Sequence, residues 1–281
     1  MATKGCFDIL VYHRIGRENS FDGLTVSNKI FIEQMQYIRH HYRPLSLGEL
    51  VQTLLEKGAI PSRAVAVTFD DGYADTFKIA FPILKRAKIP ATVFVTTGYV
   101  DQELPSFGKA PMLSWGMIKK MQRAGIEIGA HTLTHPNLTQ CSLREVKRQM
   151  IGSRNRLEEK LNKPVRLFAY PYGGARSFNQ AIQACARQAG FLGACTTLSG
   201  SNGPGTDPYA LRRMSPLRDE IHDLAVQLDR ATRKRSLNHG PEIRGVTKRA
   251  AQIWGARYKR VSRRLSRKSP FYWRMDRPFG S

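Results

Sequence analysis

The chain has 281 residues, of which 41% are hydrophobic, and this length suits one large α/β domain or a domain of about 230 residues with an appendage. The composition argues against a collagen-like or wholly disordered chain, and no apolar run is long enough to span a bilayer as a helix. The cysteines form no CxxC pair, so neither a disulfide framework nor a thiolate metal site is expected. They are Cys6, Cys141, Cys185 and Cys195.

The pattern of apolar residues first predicts a strand over residues 7–12 and a helix over residues 27–42. Ser46 is expected to cap a second helix, with Glu49 at the capping-box position. The apolar run 64–69 (AVAVTF) predicts a strand that is buried on both faces.

The same alternation continues to about residue 228. Strands are predicted at 91–95, 126–130, 167–169, 191–196 and 211–214. Helices are predicted at 73–87, from the cap Ser114 to Gly125, and at 142–161, 178–189 and 218–228.

This βα rhythm indicates an α/β protein with a parallel sheet, either doubly wound or closed into a barrel. In both arrangements the functional side chains gather at the carboxyl ends of the strands. The most informative motifs of the chain all follow predicted strands.

The first motif, residues 68–72 (TFDDG), places two carboxylates side by side at the end of a buried strand. Burial and like charge would separate their pKa values unless a cation lay between them. A metal ion would resolve this conflict, because one carboxylate could bind it while the other acted as a base. Acidic turns are common after strands, so this motif alone does not establish a site.

The second motif, residues 131–135 (HTLTH), offers two imidazoles four positions apart. If these residues form one helical turn, the two side chains face the same way and can share a metal ion. Two histidines and one carboxylate suit zinc, with cobalt or nickel as alternatives.

The third motif, residues 168–173 (FAYPYG), is an aromatic and glycine-rich turn at another strand end. Tyr170, Pro171 and Tyr172 form a candidate platform on which a sugar ring could stack. The structural alternative is a packed turn around the proline.

Together, in this order and spacing, the three motifs resemble those of the polysaccharide deacetylase family, also called the NodB-homology domain or carbohydrate esterase family 4. The resemblance covers roughly residues 5–230. It implies a distorted (β/α) barrel of NodB type and metal-assisted removal of acetyl groups from sugars. The domain is therefore expected over residues 1–231, followed by a basic tail over residues 232–281.

Carried over to this chain, the resemblance assigns Asp70 as the general base and Asp71, His131 and His135 as metal ligands. The backbone N–H of Tyr172 would complete an oxyanion site.

Two departures from the family pattern matter. Many members have a second arginine in the third motif, where this chain has Ala169, so Arg213 becomes the candidate to orient Asp70. Many also have a general-acid histidine near the end of the domain, where this chain has no histidine in the matching context. His13, at the end of the first strand, resembles the acid of the branch that deacetylates poly-N-acetylglucosamine.

An N-acetylated oligosaccharide or polysaccharide is thus the expected substrate. Two alternatives stay open: a carbohydrate-binding protein that has lost catalysis, and a sugar O-deacetylase. Acetate release by metal-loaded protein would distinguish catalysis from binding alone.

The formal net charge is +23, and residues 232–281 hold fifteen of the 45 basic residues but only two of the 22 acidic ones. Residues 246–265 predict a basic amphipathic helix that could lie on an anionic membrane surface. A solvated tail is an equal alternative, and nucleic acid is an unlikely partner because no recognised binding module is present. Without an export signal, we expect a cytoplasmic protein, peripheral to the inner face of the membrane if the tail binds lipid.

Overall fold

The structure, a computed structural model, describes residues 5–16, 23–104 and 110–216, together with Leu224 and Leu228. The strands are β1 (Phe7–Tyr12), β2 (Arg14–Gly16), β3 (Thr25–Ser27), β4 (Arg43–Pro44), β5 (Ala64–Phe69), β6 (Ala91–Val95), β7 (Glu103–Leu104), β8 (Ala110–Pro111), β9 (Glu127–Ala130), β10 (Leu167–Ala169) and β11 (Gly193–Cys195). The α-helices are α1 (Asn28–His41), α2 (Leu47–Leu55), α3 (Phe81–Ala87), α4 (Trp115–Arg123), α5 (Leu143–Leu161) and α6 (Gln180–Gln188).

The main sheet has seven parallel strands, in the order β1-β5-β6-β9-β10-β11, and β4 pairs with the start of β5. Every residue of β1, β5 and β6 is buried, as expected for parallel strands that are covered on both faces. Two short pairs, β2-β3 and β7-β8, lie outside this sheet. The predicted parallel α/β architecture is confirmed.

An extended segment, residues 211–214, joins the two edges of the sheet. Leu211 forms a parallel bridge with Cys195 of β11, and Met214 forms one with Leu10 of β1. Because one short segment hydrogen-bonds to both edge strands, the sheet curls into a distorted barrel. The strand predicted here is therefore a pair of single bridges on either side of Arg213.

Serine caps set the starts of four helices. The hydroxyls of Ser27, Ser46, Ser114 and Ser142 each accept a hydrogen bond from a backbone N–H in the first turn of the helix that follows. Glu49 completes the capping box at Ser46, as predicted. The first of these helices ends at His41, one residue before the predicted boundary.

Two predicted elements differ in the structure, and a third is described only in part. The helix predicted over residues 73–87 contains a π-helix at Thr76–Ala80 before α3. The strand predicted at residues 191–196 shortens to three residues. Of the helix predicted at residues 218–228, only Leu224 and Leu228 are described; both are helical and buried.

The predicted basic tail, residues 232–281, lies outside the described residues, so its boundary and its amphipathic helix stay predictions. Within the described part of the chain, no helix is both long and apolar enough to cross a lipid bilayer.

Candidate active site

The carboxyl ends of neighbouring parallel strands bring the candidate residues to one edge of the barrel. Asp70 and Asp71 follow β5, and the backbone N–H of Asp70 donates to the Tyr12 carbonyl at the end of β1. His131 follows β9, and the turn at 170–173 follows β10. The sheet order explains why motifs so distant in sequence lie together.

Asp71, His131 and His135 converge on one point. Oδ1 of Asp71 lies 3.3 Å from Nε2 of His131 and 3.3 Å from Nε2 of His135. The ligand atoms of all three residues lie within 4.8 Å of one another. One carboxylate and two imidazoles are a suitable donor set for zinc or a similar divalent ion, with room for water and substrate as further ligands.

The backbone of β10 orients the first histidine. Nδ1 of His131 lies 2.8 Å from the carbonyl oxygen of Ala169, so a neutral imidazole donates its proton there. Nε2 then presents its lone pair beside Asp71, which is the form that binds a metal. The site residues therefore fit a metal ion in chemistry as well as in spacing.

The two histidines do not lie on a helical turn, so this part of the prediction is wrong. Residues 131–135 form a loop in which Thr132 has φ 67° and His135 has φ 57°. His135 N–H donates to the Thr132 hydroxyl, which closes the loop. The imidazoles converge because the loop reverses the chain, not because they are spaced one helical turn apart.

Left-handed backbone recurs at the site. Asp71 (φ 71°) and Tyr172 (φ 63°) share this conformation with Thr132 and His135. Such a conformation costs a non-glycine residue about 1–2 kcal/mol. A concentration of strained residues around one point is typical of functional sites.

Arg213 contacts Asp70 through both ends of its guanidinium. Nη1 donates to Oδ1 of Asp70 at 2.7 Å, and Nη2 donates to Oδ2 at 2.6 Å. The arginine is 1% exposed and also donates from Nε to the carbonyl oxygen of Thr196 at 2.7 Å. Arg213 therefore contacts Asp70 as predicted, in a chain that has Ala169 where many family members have the second arginine of the third motif.

The two carboxylates differ in their partners. Burial alone would raise the pKa of Asp70, but the Arg213 guanidinium outweighs it and holds that pKa below the ordinary value. Burial would likewise raise the pKa of Asp71, but the imidazoles of His131 and His135, when they are protonated on Nε2, donate to this carboxylate and hold its pKa well below the ordinary value. Both groups are therefore ionised at neutral pH, one with an arginine and one with two imidazoles.

His13 directly follows β1, whose last residue, Tyr12, pairs with Phe69 of β5, the residue just before Asp70. Its Nδ1 is buried and has no hydrogen-bond partner in the described part of the chain. The predicted acid is thus placed on the same side of the barrel as the predicted base.

Only one of the three residues predicted to form a sugar platform is exposed in the aromatic turn, so the prediction is wrong for the other two. Tyr170 is fully buried, and its hydroxyl donates to the Tyr209 carbonyl at 3.0 Å. Pro171 is also buried, so neither side chain offers a surface to a sugar. Tyr172 is 60% exposed, with its ring centroid 4.9 Å from that of His135.

Gly173 follows in the turn with φ 63°, and a Cβ there would lie 2.7 Å from the backbone nitrogen of Thr197. The Thr197 hydroxyl donates to the Tyr172 carbonyl at 2.8 Å. Among the hydrogen bonds of the described residues, none uses the Tyr172 N–H, so this donor is available to a ligand.

Sequence reasoning did not identify the surroundings of Arg213. Phe94, on β6, has its ring centroid 5.7 Å from the guanidinium carbon, and the Thr68 hydroxyl accepts from Nη1 at 3.3 Å. A buried phenylalanine in a strand and a backbone carbonyl carry no signal in one sequence. Arg166 directly precedes β10, at the end of that strand opposite to the turn at 170–173.

A two-histidine, one-carboxylate centre beside a second, tethered carboxylate is the arrangement of a metal-dependent hydrolase. Residues 57–194 match the family model described as polysaccharide deacetylase. Residues 57–194 therefore form a polysaccharide deacetylase domain, and the family of such domains is metal-dependent.

A related enzyme of similar sequence belongs to the same class of hydrolases. The chain is 30% identical over 187 residues to the poly-beta-1,6-N-acetyl-D-glucosamine N-deacetylase of Staphylococcus aureus, a match that covers 58% of this chain and 63% of that enzyme. The match therefore spans a little under two thirds of the staphylococcal protein.

Two solved structures share the fold. The deacetylase PplD of Streptococcus pyogenes, in complex with acetate, has a TM-score of 0.71 at 27% identity, over 80% of this chain and 99% of that one. IcaB from Ammonifex degensii has a TM-score of 0.70 at 28% identity, with the same coverage. The predicted NodB-type barrel is thereby confirmed.

Proposed function

We propose that this protein hydrolyses the acetamide of N-acetylglucosamine units in a polysaccharide, with a divalent metal, zinc in the first place, held by Asp71, His131 and His135. The observation that carries the proposal is the convergence of these three side chains beside a separate carboxylate, Asp70. Similarity to the staphylococcal poly-N-acetylglucosamine deacetylase supports the choice of sugar.

The ion would supply Lewis-acid chemistry, polarising the acetyl carbonyl and acidifying the attacking water. Asp70 then takes the proton of this water. A carboxylate with a lowered pKa is a weak base, so it is suited to a water that is already acidified. Arg213 keeps Asp70 ionised and holds both its oxygens in one orientation.

Two further groups act on the acetyl and amine sides of the reaction. The Tyr172 N–H donates to the oxygen that becomes negatively charged during attack. His13 donates a proton to the nitrogen as the carbon–nitrogen bond breaks, so that the amine leaves in neutral form. The exposed ring of Tyr172 offers an apolar face to the sugar.

The first test is acetate release from β-1,6-linked N-acetylglucosamine oligomers by zinc-loaded and by chelated protein. Asp70→Asn should lower kcat by about 10²–10⁴-fold, the contribution of a general base, and leave zinc affinity unchanged. Glu159→Gln, an exposed carboxylate on α5, is the matched control and should keep full activity.

Several outcomes would contradict the proposal. Activity of Asp70→Asn equal to wild type would remove Asp70 as the base. Binding of oligomers without acetate release would favour the alternative of a catalytically silent binder. Release from O-acetylated sugars but not from N-acetylated ones would favour an O-deacetylase.

The basic tail supports a separate proposal, contact with an anionic membrane at the cytoplasmic face, that rests on sequence alone. Co-sedimentation with anionic liposomes and with DNA, for the chain with and without residues 232–281, tests it. Equal liposome binding by both versions would remove the idea.

A further inference from the structure

The loop between the two candidate histidine ligands is held from outside by one buried side chain. Oε1 of Gln149, on α5, accepts hydrogen bonds from the backbone N–H of Leu133 at 2.9 Å and of Thr134 at 3.0 Å. Two backbone donors at one oxygen also settle which end of the amide is oxygen. Gln149 is 1% exposed, so water does not compete for these bonds.

The other end of the same amide is fixed as well. Nε2 of Gln149 donates to the Thr134 hydroxyl at 2.9 Å and to Oε1 of Glu145 at 2.8 Å. Arg148 in turn holds the Glu145 carboxylate through two hydrogen bonds. The amide therefore has all four of its hydrogen bonds and cannot rotate without losing several of them.

The helix is also shaped to receive the loop. A Cβ at Gly152 would lie 2.8 Å from Cδ1 of Leu133, so glycine leaves the space that this leucine fills. The segment after β6 also contacts this leucine, because Gly98 N–H donates to the Leu133 carbonyl at 2.7 Å. Leu133 is thus held by contacts with two segments, midway between His131 and His135.

We propose that Gln149 is a positioning residue that sets metal affinity by holding the loop 132–134, and with it the angle between the two imidazoles. This inference rests on the proposed metal site. The segment 131–135 contains two residues with positive φ, Thr132 and His135, so it needs bonds from outside to stay in this conformation. Partners that orient metal ligands commonly contribute about 10–100-fold to metal affinity.

The test measures cobalt and zinc affinity by titration, and coordination geometry by the visible absorption of the cobalt form, without any use of activity. Gln149→Met keeps the length and helix propensity of the side chain but removes the acceptor oxygen. It should weaken metal binding by about 10–100-fold and change the cobalt spectrum. Gln149→Glu combined with Glu145→Gln keeps an oxygen in reach of both N–H groups and restores a donor between the two side chains, so this double variant should lose less than tenfold in metal affinity.

Ser153→Ala is the matched control, because Ser153 is equally buried one turn further along α5 and its hydroxyl donates only to the Met150 carbonyl. It should bind metal like wild type. Unchanged affinity in folded Gln149→Met overturns the inference, as does an equal loss in Gln149→Met and in the double variant Gln149→Glu with Glu145→Gln. If Gln149→Met does not fold, Gln149→Asn takes its place, since its amide is too short to reach the loop, and unchanged affinity there overturns the inference too.

These outcomes are separable from a failure of the proposed function. Absence of metal binding in the wild-type protein would contradict the proposed metal site itself. Metal binding by wild type that Gln149→Met leaves intact would contradict only the role of Gln149.

Discussion

Two adjacent carboxylates with different tasks are the main feature at the scale of single residues. Asp71 adopts a positive φ, which turns its side chain towards the two histidines, whereas Asp70 faces Arg213. Each negative charge thus has its own positive or metal-binding partner, so the like charges do not force one group to take up a proton. Asp70 and Asp71 could be singled out from the sequence as a pair, but not which partner each would find.

Arg213→Lys tests the residue-scale part of this arrangement. Lysine keeps the charge but not the two parallel hydrogen bonds, so Asp70 loses its fixed orientation. We expect kcat for acetate release to fall by at least about tenfold, up to the 10²–10⁴-fold that a general base contributes. Steady-state kinetics and a zinc titration check this.

Metal affinity should not change in this variant, because Arg213 contacts none of the three candidate ligands. Arg212→Lys is the neighbouring control, since Arg212 is exposed and Nη1 donates only to the Ser199 carbonyl. A full kcat in Arg213→Lys would show that Asp70 needs no bidentate partner.

At the level of secondary-structure elements, the starts of the helices could be predicted from neighbouring residues, whereas the conformation of the functional loops could not. Ser46 and Glu49 lie close in sequence, so the capping box could be predicted from four residues. The loop at 131–135 depends on Gln149, which is distant in sequence. The only signal for that contact is a polar residue on the buried face of α5, among Val146, Met150 and Leu157.

Glu127, at the amino end of β9, provides an element-scale prediction on pH. Its carboxylate accepts hydrogen bonds from the Thr92 hydroxyl at 2.7 Å and from Gly48 N–H at 3.1 Å, but burial outweighs them and raises its pKa. The folded state therefore favours the protonated form. The stabilising contribution is complete below the ordinary glutamate pKa of about 4.3 and is lost as the pH rises through the raised pKa.

Glu127→Gln removes this titration and keeps an acceptor oxygen for both donors. Relative to wild type, the variant should gain stability as the pH rises from about 4 to about 7. Urea unfolding at both pH values measures the difference, with Glu159→Gln as the exposed control. A difference from wild type that does not vary with pH would show that burial does not perturb Glu127.

At the scale of the whole molecule, the segment 211–214 both joins the sheet edges and delivers Arg213 to Asp70. Asn202 ties this segment to β1. Its side chain donates to the Arg212 carbonyl and accepts from the Arg212 N–H, both at 2.8 Å, while its backbone pairs with Phe7. Closure of the barrel and orientation of the candidate base thus both depend on this one segment.

Asn202→Ala should therefore lower the unfolding free energy by more than a typical substitution on the surface does. Two backbone groups of Arg212 lose the partners that the fully buried Asn202 side chain provides, which costs about 1–3 kcal/mol of unfolding free energy. Urea denaturation of Asn202→Ala, beside the exposed control Asn155→Ala, measures this cost. Equal stability of the two variants would mean that the closing segment does not depend on Asn202.

The amino-acid sequence alone predicts the parallel α/β class, the positions of most strands and helices, and the candidates Asp70, Asp71, His131 and His135. These follow from periodicity, capping and short motifs, which are local properties of the chain. Three features become visible only in the folded protein: Arg213 contacts Asp70, Tyr170 is buried while Tyr172 is exposed, and Gln149 holds the histidine loop. Such contacts join residues far apart in sequence, and which residues meet depends on how the closed sheet brings strand ends and helix faces together.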